Sequence, residues 1–200
     1  MAQNTASDSS RRNERSQRAI LEAALSLVGE VGYEKLTIEG IAARAKVGKQ
    51  TIYRWWPSKA AVLLDAFTAE SEAGDFESFL PDTGDLAADL KFSLRATVDE
   101  FNDPNFQAPY RALAVAAAND AAAAEQFTSR LLEPGNKVYI SRLHSAQEAG
   151  DIAADADLRI AAELLLGSFS QRWLMRTGEL TYEFVDTVVD MVVNGLRHGA

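Results

Sequence analysis

Residues Thr37 to Lys59 read T-I-E-G-I-A-A-R-A-K-V-G-K-Q-T-I-Y-R-W-W-P-S-K. Ile38, Ile41, Ala42 and Ala45 recur at helical spacing behind Thr37, whose hydroxyl can cap a helix by accepting a backbone N–H. Lys46, Val47 and Gly48 break that pattern. A second apolar set, Val47, Ile52 and Trp55 or Trp56, then follows before Pro57 stops the helix. Two short helices joined by a tight, glycine-containing turn read as a helix-turn-helix.

The outward residues of the second helix decide its use. Lys49, Gln50, Thr51, Tyr53 and Arg54 gather cationic, amide, hydroxyl and phenol groups on the part of the helix that meets base edges when such a helix enters the major groove. Lys59, behind a possible Ser58 cap, sits where the next helix begins and is placed for a phosphate contact. On spacing alone, a solvated polar face on an ordinary helical hairpin is an equal alternative.

The residues themselves favour DNA. Leu36 to Lys59, as L-T-I-x-x-I-A-x-x-A-x-V-x-x-x-T-I-Y-x-x-W-P-S-K, resembles the DNA-binding domain of the tetracycline repressor (TetR) family, and the likeness extends over about Arg15 to Phe67. The resemblance implies base-edge contacts from Lys49 and Gln50, and phosphate contacts from Thr51, Tyr53 and Lys59. Thr37 and Arg54 complete the candidate DNA-binding set, while Ile52 and Trp56 are implied as core. The family commonly has Gly where Lys46 stands, so a lysine at positive φ is expected there at some strain cost, with Gly48 relieving part of it. The implied fold is all-α, an N-terminal three-helix helix-turn-helix DNA-binding domain plus a C-terminal helical ligand-binding and dimerisation domain. The implied activity is repression, relieved when a small molecule releases the protein from a palindromic double-stranded operator.

Length and composition are compatible with this. The chain has 200 residues, enough for one or two domains, and no cysteine, which excludes disulfides and thiolate metal sites. Its net charge of −9 argues at first sight against a nucleic-acid partner. The distribution answers that objection: residues 1–60 carry ten Lys or Arg against six Asp or Glu, and residues 61–200 carry ten against 23. The cationic excess coincides with the helix-turn-helix. No signal peptide and no uncharged apolar run of spanning length is evident, so a cytoplasmic protein without a membrane partner is expected.

Taken in order, residues 1–14 are polar and expected to be a disordered arm, in which Arg11 and Arg12 lead on to Arg15 and Arg18. The DNA-binding domain is expected over 15–60 and the remainder over 61–200. A first helix from Arg15 carries the stripe Ile20, Ala24, Leu27, Val28 and Val31, with Gly32 as its C-terminal cap. Leu63, Ala66 and Phe67 mark a fourth helix, and Ser71 to Gly84 reads as a linker. Helices follow from Asp85 onward, broken at Asn102–Pro104, with Asn119 or Asp120 as a cap. Pro134 and Gly135 interrupt a long helical pattern, which either leaves room for a ligand or marks a helix boundary.

The last two helices are apolar on two sides. Ile160, Leu164, Gly167 and Leu174 form one stripe and Ala161, Ala162, Leu165 and Phe169 another. From Phe184 to Leu196, Phe184, Val188, Met191, Val192 and Gly195 oppose Val185, Val189, Val193 and Leu196. Each helix therefore needs a partner on both sides, which suggests a four-helix homodimer interface using Leu164, Gly167, Gln171, Val188, Met191, Val192 and Gly195. The alternative is burial inside one large monomer core.

Catalytic patterns are missing. His144 and His198 have no metal-ligand spacing, and no nucleophile elbow, zincin or P-loop motif occurs, so neither an enzyme, a metal nor a cofactor is expected. Phe92, Phe101, Tyr110, Phe127, Tyr139, His144, Phe169 and Trp173 are the candidate ligand-binding residues, most of them expected to be plain core. The rival reading is a helical dimeric small-molecule-binding protein without DNA-binding activity.

Overall fold

The computed structural model describes residues 3–71 and 80–197, with the side chains of 11, 13–69 and 80–197. His198 lies outside them. Among the described residues ten α-helices and one π-helical turn form in chain order: α1 (Gln3–Lys35), α2 (Ile38–Ala45), α3 (Lys49–Tyr53), α4 (Lys59–Ser71), α5 (Leu86–Asn102), α6 (Pro104–Asn119), α7 (Ala121–Phe127), the π turn (Thr128–Leu132), α8 (Glu133–Ala149), α9 (Leu158–Leu174) and α10 (Tyr182–Arg197). The all-α expectation holds among the described residues.

Two compact units result. One contains α1 to α4 together with Ala108–Phe127; the other runs from α5 to Gln107 and resumes at Thr128. The chain passes between the units after α4, inside α6 and after α7, and the expected boundary after residue 60 lies within the first unit. Aromatic packing gives the reason: Tyr110 lies 5.9 Å from Phe67 and 5.6 Å from Phe127, centroid to centroid, which ties the end of α6 and α7 to α4.

In the first unit most of the α1 stripe is buried, with Ile20 and Ala24 at 0% and Val28 at 2% exposure beside the buried Ile41, Val62 and Leu63 of α2 and α4, whereas Leu27 is half-buried and Val31, expected in the same stripe, is 41% exposed because it falls in the last turn before Gly32. Each such aliphatic side chain contributes roughly 1.5–3 kcal/mol relative to exposure. The helix begins at Gln3, ahead of the Arg15 start and across the segment expected to be disordered. An apolar stripe reports where a helix is packed, not where its backbone hydrogen bonding begins.

Gly32 ends the regular part of α1 with φ 75°, ψ 168°, a region open essentially to glycine alone. A Cβ there would meet nothing within 4 Å, so a substitution is penalised by backbone strain and not by a clash. Gly32→Ala is expected to lower stability by about 1–3 kcal/mol, read from urea denaturation.

The second unit is built on Leu90, Leu94, Leu143, Ala162, Leu165, Val185 and Val189, none more than 2% exposed. Asp85 caps α5 by accepting from the Ala88 N–H at 3.0 Å. Asp103 separates α5 from α6 as the N-D-P sequence requires. The interruption expected at Pro134 and Gly135 lies earlier, in the π turn, because Pro134 occupies the first turn of α8, where a helix does not need its N–H. Gly150 closes α8 with φ 82°.

Candidate DNA interface

Thr37 caps α2: its Oγ1 accepts from the Gly40 N–H at 3.0 Å. At the other end Lys46 adopts the left-handed conformation, φ 56°, ψ 41°, and its N–H closes on the carbonyls of Ala42 and Ala43. A side chain in that region costs roughly 1–2 kcal/mol. Gly48 sits at φ −75° as the N-cap of α3, so the expectation that it shares the strain is corrected; Lys46 carries the turn alone.

The second helix is short, and its orientation depends on what lies beneath it. Ile52 is fully buried and Trp56 is 5% exposed. The Trp56 Nε1–H donates to Asp65 Oδ2 at 2.6 Å, and its ring meets Trp55 edge-on at 5.5 Å. These contacts hold α3 against α4, as the core roles of Ile52 and Trp56 require. On the opposite face Lys49, Gln50, Tyr53 and Arg54 are exposed and Thr51 is half-buried. The Arg54 guanidinium stacks 4.8 Å over the Trp55 ring.

Two further contacts fix the unit. Arg44 on α2 forks onto Glu30 of α1, with one hydrogen bond of 2.7 Å to Oε2, and also donates to Ser26 Oγ at 2.8 Å. Hydrogen bonds from Arg44 and then Ser26 hold the Glu30 carboxyl down at about 2. Lys59 has a second role, in the fold. Its ammonium donates to the carbonyls of Tyr33 at 2.7 Å and Leu36 at 2.9 Å and lies 4.3 Å above the Tyr33 ring. Two of its three N–H groups thus cap the end of α1, where helix carbonyls lack intrahelical partners. Sequence reasoning missed this capping role because those carbonyls become neighbours of Lys59 only in three dimensions.

Glu39 was not singled out from the sequence. It stands in the first turn of α2 with its Oε1 3.6 Å from the Lys49 Nζ, both side chains more than half exposed.

The candidate ligand-binding residues do not form one group. Phe92 is 61% exposed, and His144 is exposed beside Glu148 at 3.6 Å; neither lines an interior site, because each falls on the solvent side of its helix. Tyr110 and Phe127 belong to the first unit. Within the second unit, Phe101 packs on Phe106 and Trp173 at 5.2 and 5.0 Å, Phe169 on Phe184 at 5.6 Å, and the Tyr139 hydroxyl pairs with Ser93 Oγ at 2.9 Å. Burial, ahead of the lowering effect of Ser93, pushes the Tyr139 phenol up.

The two-sided helices divide as their stripes predict. Ala161, Ala162, Leu165, Phe169, Val185, Val189 and Val193 are buried, whereas Leu164 is 58% and Met191 72% exposed. Gly167, Gln171 and Gly195 share the open side, and Val188 and Val192 are half-buried. Burial inside the monomer core is thereby set aside. Among the described residues no helix is long and apolar enough to cross a membrane, and no group of His, Asp or Glu is placed to hold a metal ion.

A capped α2, a tight turn and a buried-faced α3 presenting Lys49, Gln50 and Tyr53 define a helix-turn-helix DNA-binding protein. Residues 20–66 match the family described as bacterial regulatory proteins, tetR family, and residues 80–192 match the tetracyclin repressor-like C-terminal domain. The chain is 31% identical over 186 residues to the HTH-type transcriptional regulator YdeS of Bacillus subtilis, covering 93% of this chain and 90% of that protein. It is 28% identical over 185 residues to the DNA-binding transcriptional repressor TetR of Mycobacteroides abscessus, covering 91% and 94%. The crystal structure of the TetR family transcription regulator SCO0332 superposes with a TM-score of 0.69 at 31% identity, covering 90% of this chain and 97% of that one. The chain belongs to the TetR family and is a DNA-binding transcriptional regulator.

Proposed function

We propose that this chain is a homodimeric repressor that reads a palindromic operator through Lys49 and Gln50 and is released by a small molecule held in its second unit. The observation that carries the reading is the pairing of exposed Lys49, Gln50 and Tyr53 with a fully buried Ile52 on the same short helix. A recognition helix needs both a readable face and a fixed back. Two such helices, related by the dimer axis, read half-sites about 34–36 Å apart or a multiple of it. The effector draws on Phe101, Tyr139, Phe169 and Trp173, and switches the protein only if it prefers the head separation that does not fit DNA.

The test is selection from random duplexes by the purified protein at several salt concentrations. An enriched palindrome with steep salt dependence supports the reading; no enrichment from dimeric protein sinks it. Within that assay Gln50→Ala is expected to relax preference at one base pair per half-site by about 1–3 kcal/mol. Tyr53→Phe should weaken all duplexes alike, since a phenol on phosphate carries no base information. Unaltered preference in Gln50→Ala would reassign that side chain.

A further inference from the structure

The exposed pair between Glu39 and Lys49 has no evident task in the fold. Ion pairs of this kind contribute at most about 1 kcal/mol, and α2 is already tied to α1 by Arg44 and capped by Thr37. A carboxylate on a surface meant for phosphates is also unfavourable in itself, because it repels the partner at long range. What it supplies is an acceptor on a surface otherwise made of donors and amphoteric groups.

In the major groove guanine offers the acceptors O6 and N7 while its partner cytosine offers the N4 donor, and lysine and glutamate are the side chains that match them. The Lys49 ammonium and the Glu39 carboxylate lie 3.6 Å apart, comparable to the separation of guanine O6 and its partner's N4, which are hydrogen-bonded to each other at about 2.9 Å. Donor and acceptor are thus presented side by side at the spacing of neighbouring base-edge groups. Glu39 belongs to α2 and Lys49 to α3, so the pair is assembled by the turn at Lys46 and would be lost if that turn changed register.

We propose that Glu39 and Lys49 act together as one reading pair for a guanine–cytosine element of each half-site, Lys49 donating to guanine and Glu39 accepting from cytosine N4. The proposal rests on the operator reading above and makes Glu39 a specificity-determining residue. In the free protein the two side chains neutralise each other; on DNA each exchanges its partner for a base edge. Sequences without the G·C element leave the carboxylate facing phosphates with nothing to accept, so Glu39 discriminates by repulsion as well as by attraction.

The experiment compares wild type, Glu39→Ala and Glu39→Gln by selection from random duplexes, followed by titration of the enriched operator and of a copy with the G·C element replaced by A·T. Wild type is expected to favour the G·C operator by roughly 5- to 100-fold per position. Glu39→Ala should lose most of that ratio and bind the replaced duplex more tightly than wild type does. Glu39→Gln should move the preference toward adenine, whose N6 and N7 a glutamine amide matches. Loss of the G·C ratio in Glu39→Ala together with this shift is something a merely structural or repulsive carboxylate does not produce. If both variants tighten on every duplex by one common factor with preference intact, Glu39 is only a surface charge and the proposal falls. It falls equally if wild type selects a palindrome without a G·C element answering to Glu39. No palindrome at all from wild type would instead remove the operator reading, and this pair with it.

Discussion

Replacing Arg142 by methionine should lower the stability of the chain by about 3–5 kcal/mol. The side chains of Arg142 and Asp89 are 4% and 2% exposed, and the Arg142 Nε and one terminal nitrogen donate to Asp89 Oδ2 at 3.0 and 2.8 Å. Thr83 supplies the rest of the carboxylate's partners, through its N–H at 3.0 Å and its hydroxyl at 2.7 Å. Methionine leaves that carboxylate buried without its cation, which costs more than the pair itself contributes. At this chain length each 1 kcal/mol moves the midpoint by about 2–4 °C, so a fall on the order of 10 °C is expected in calorimetry.

The same pair sets a pH dependence. Burial pushes the Asp89 carboxyl up, but the hydrogen bonds from Thr83 and Arg142 outweigh it and hold the group below its ordinary 3.8. A carboxyl depressed in the folded state contributes stability that is present above its unfolded pKa and lost as pH falls through the folded one. Wild type should therefore lose this contribution in acid. In Arg142→Met the carboxyl keeps its Thr83 partners but loses the cation, so it is held down less and the deficit against wild type should shrink as the pH falls below about 4. Asp89→Leu combined with Arg142→Met should recover much of the loss, since a buried pair exchanged for apolar groups is often neutral. An equally large deficit in the double variant would show that the two side chains support the unit by shape and not by charge.

The sequence makes the recognition unit legible because its signals are local. A threonine ahead of an apolar helical pattern, a broken turn and a proline stop lie within one short stretch, and each needs only its neighbours in the chain to act. Lys46 in the left-handed region could be anticipated for that reason, from its place in the motif. Lys59 could not: its acceptors, the carbonyls of Tyr33 and Leu36, are supplied by a different helix. Glu39 was hidden in the same way, since α2 and α3 must fold against each other before its carboxylate meets Lys49. The Asp89–Arg142 pair joins residues more than fifty positions apart, and nothing in either local pattern marks it. Aromatic residues were the least legible class, because periodicity tells which face is apolar but not which neighbour will cover it. Phe92 and Phe101 lie on the same helix and end with 61% and 6% exposure.

The two-sided helices were legible for the opposite reason, since an excess of apolar surface is a property of composition that no packing within one chain removes. Ala162, Leu165, Val185 and Val189 fill the second unit, and Leu164 and Met191 are left outward. Burying both in a four-helix interface stabilises association by roughly 1.5–3 kcal/mol for each side chain on each subunit. Leu164→Glu together with Met191→Glu should therefore abolish the dimer while leaving the helical signal unchanged, because neither side chain contributes to the core of a single chain. A monomer reads one half-site, and loss of the linked second contact should weaken operator binding by about 10²- to 10⁴-fold, with half-site binding preserved. Sedimentation and operator titration on the same samples separate the causes. Monomer with intact half-site binding locates the interface on α9 and α10; persistent dimer would place it on another face, and the outward stripe would then require a different occupant.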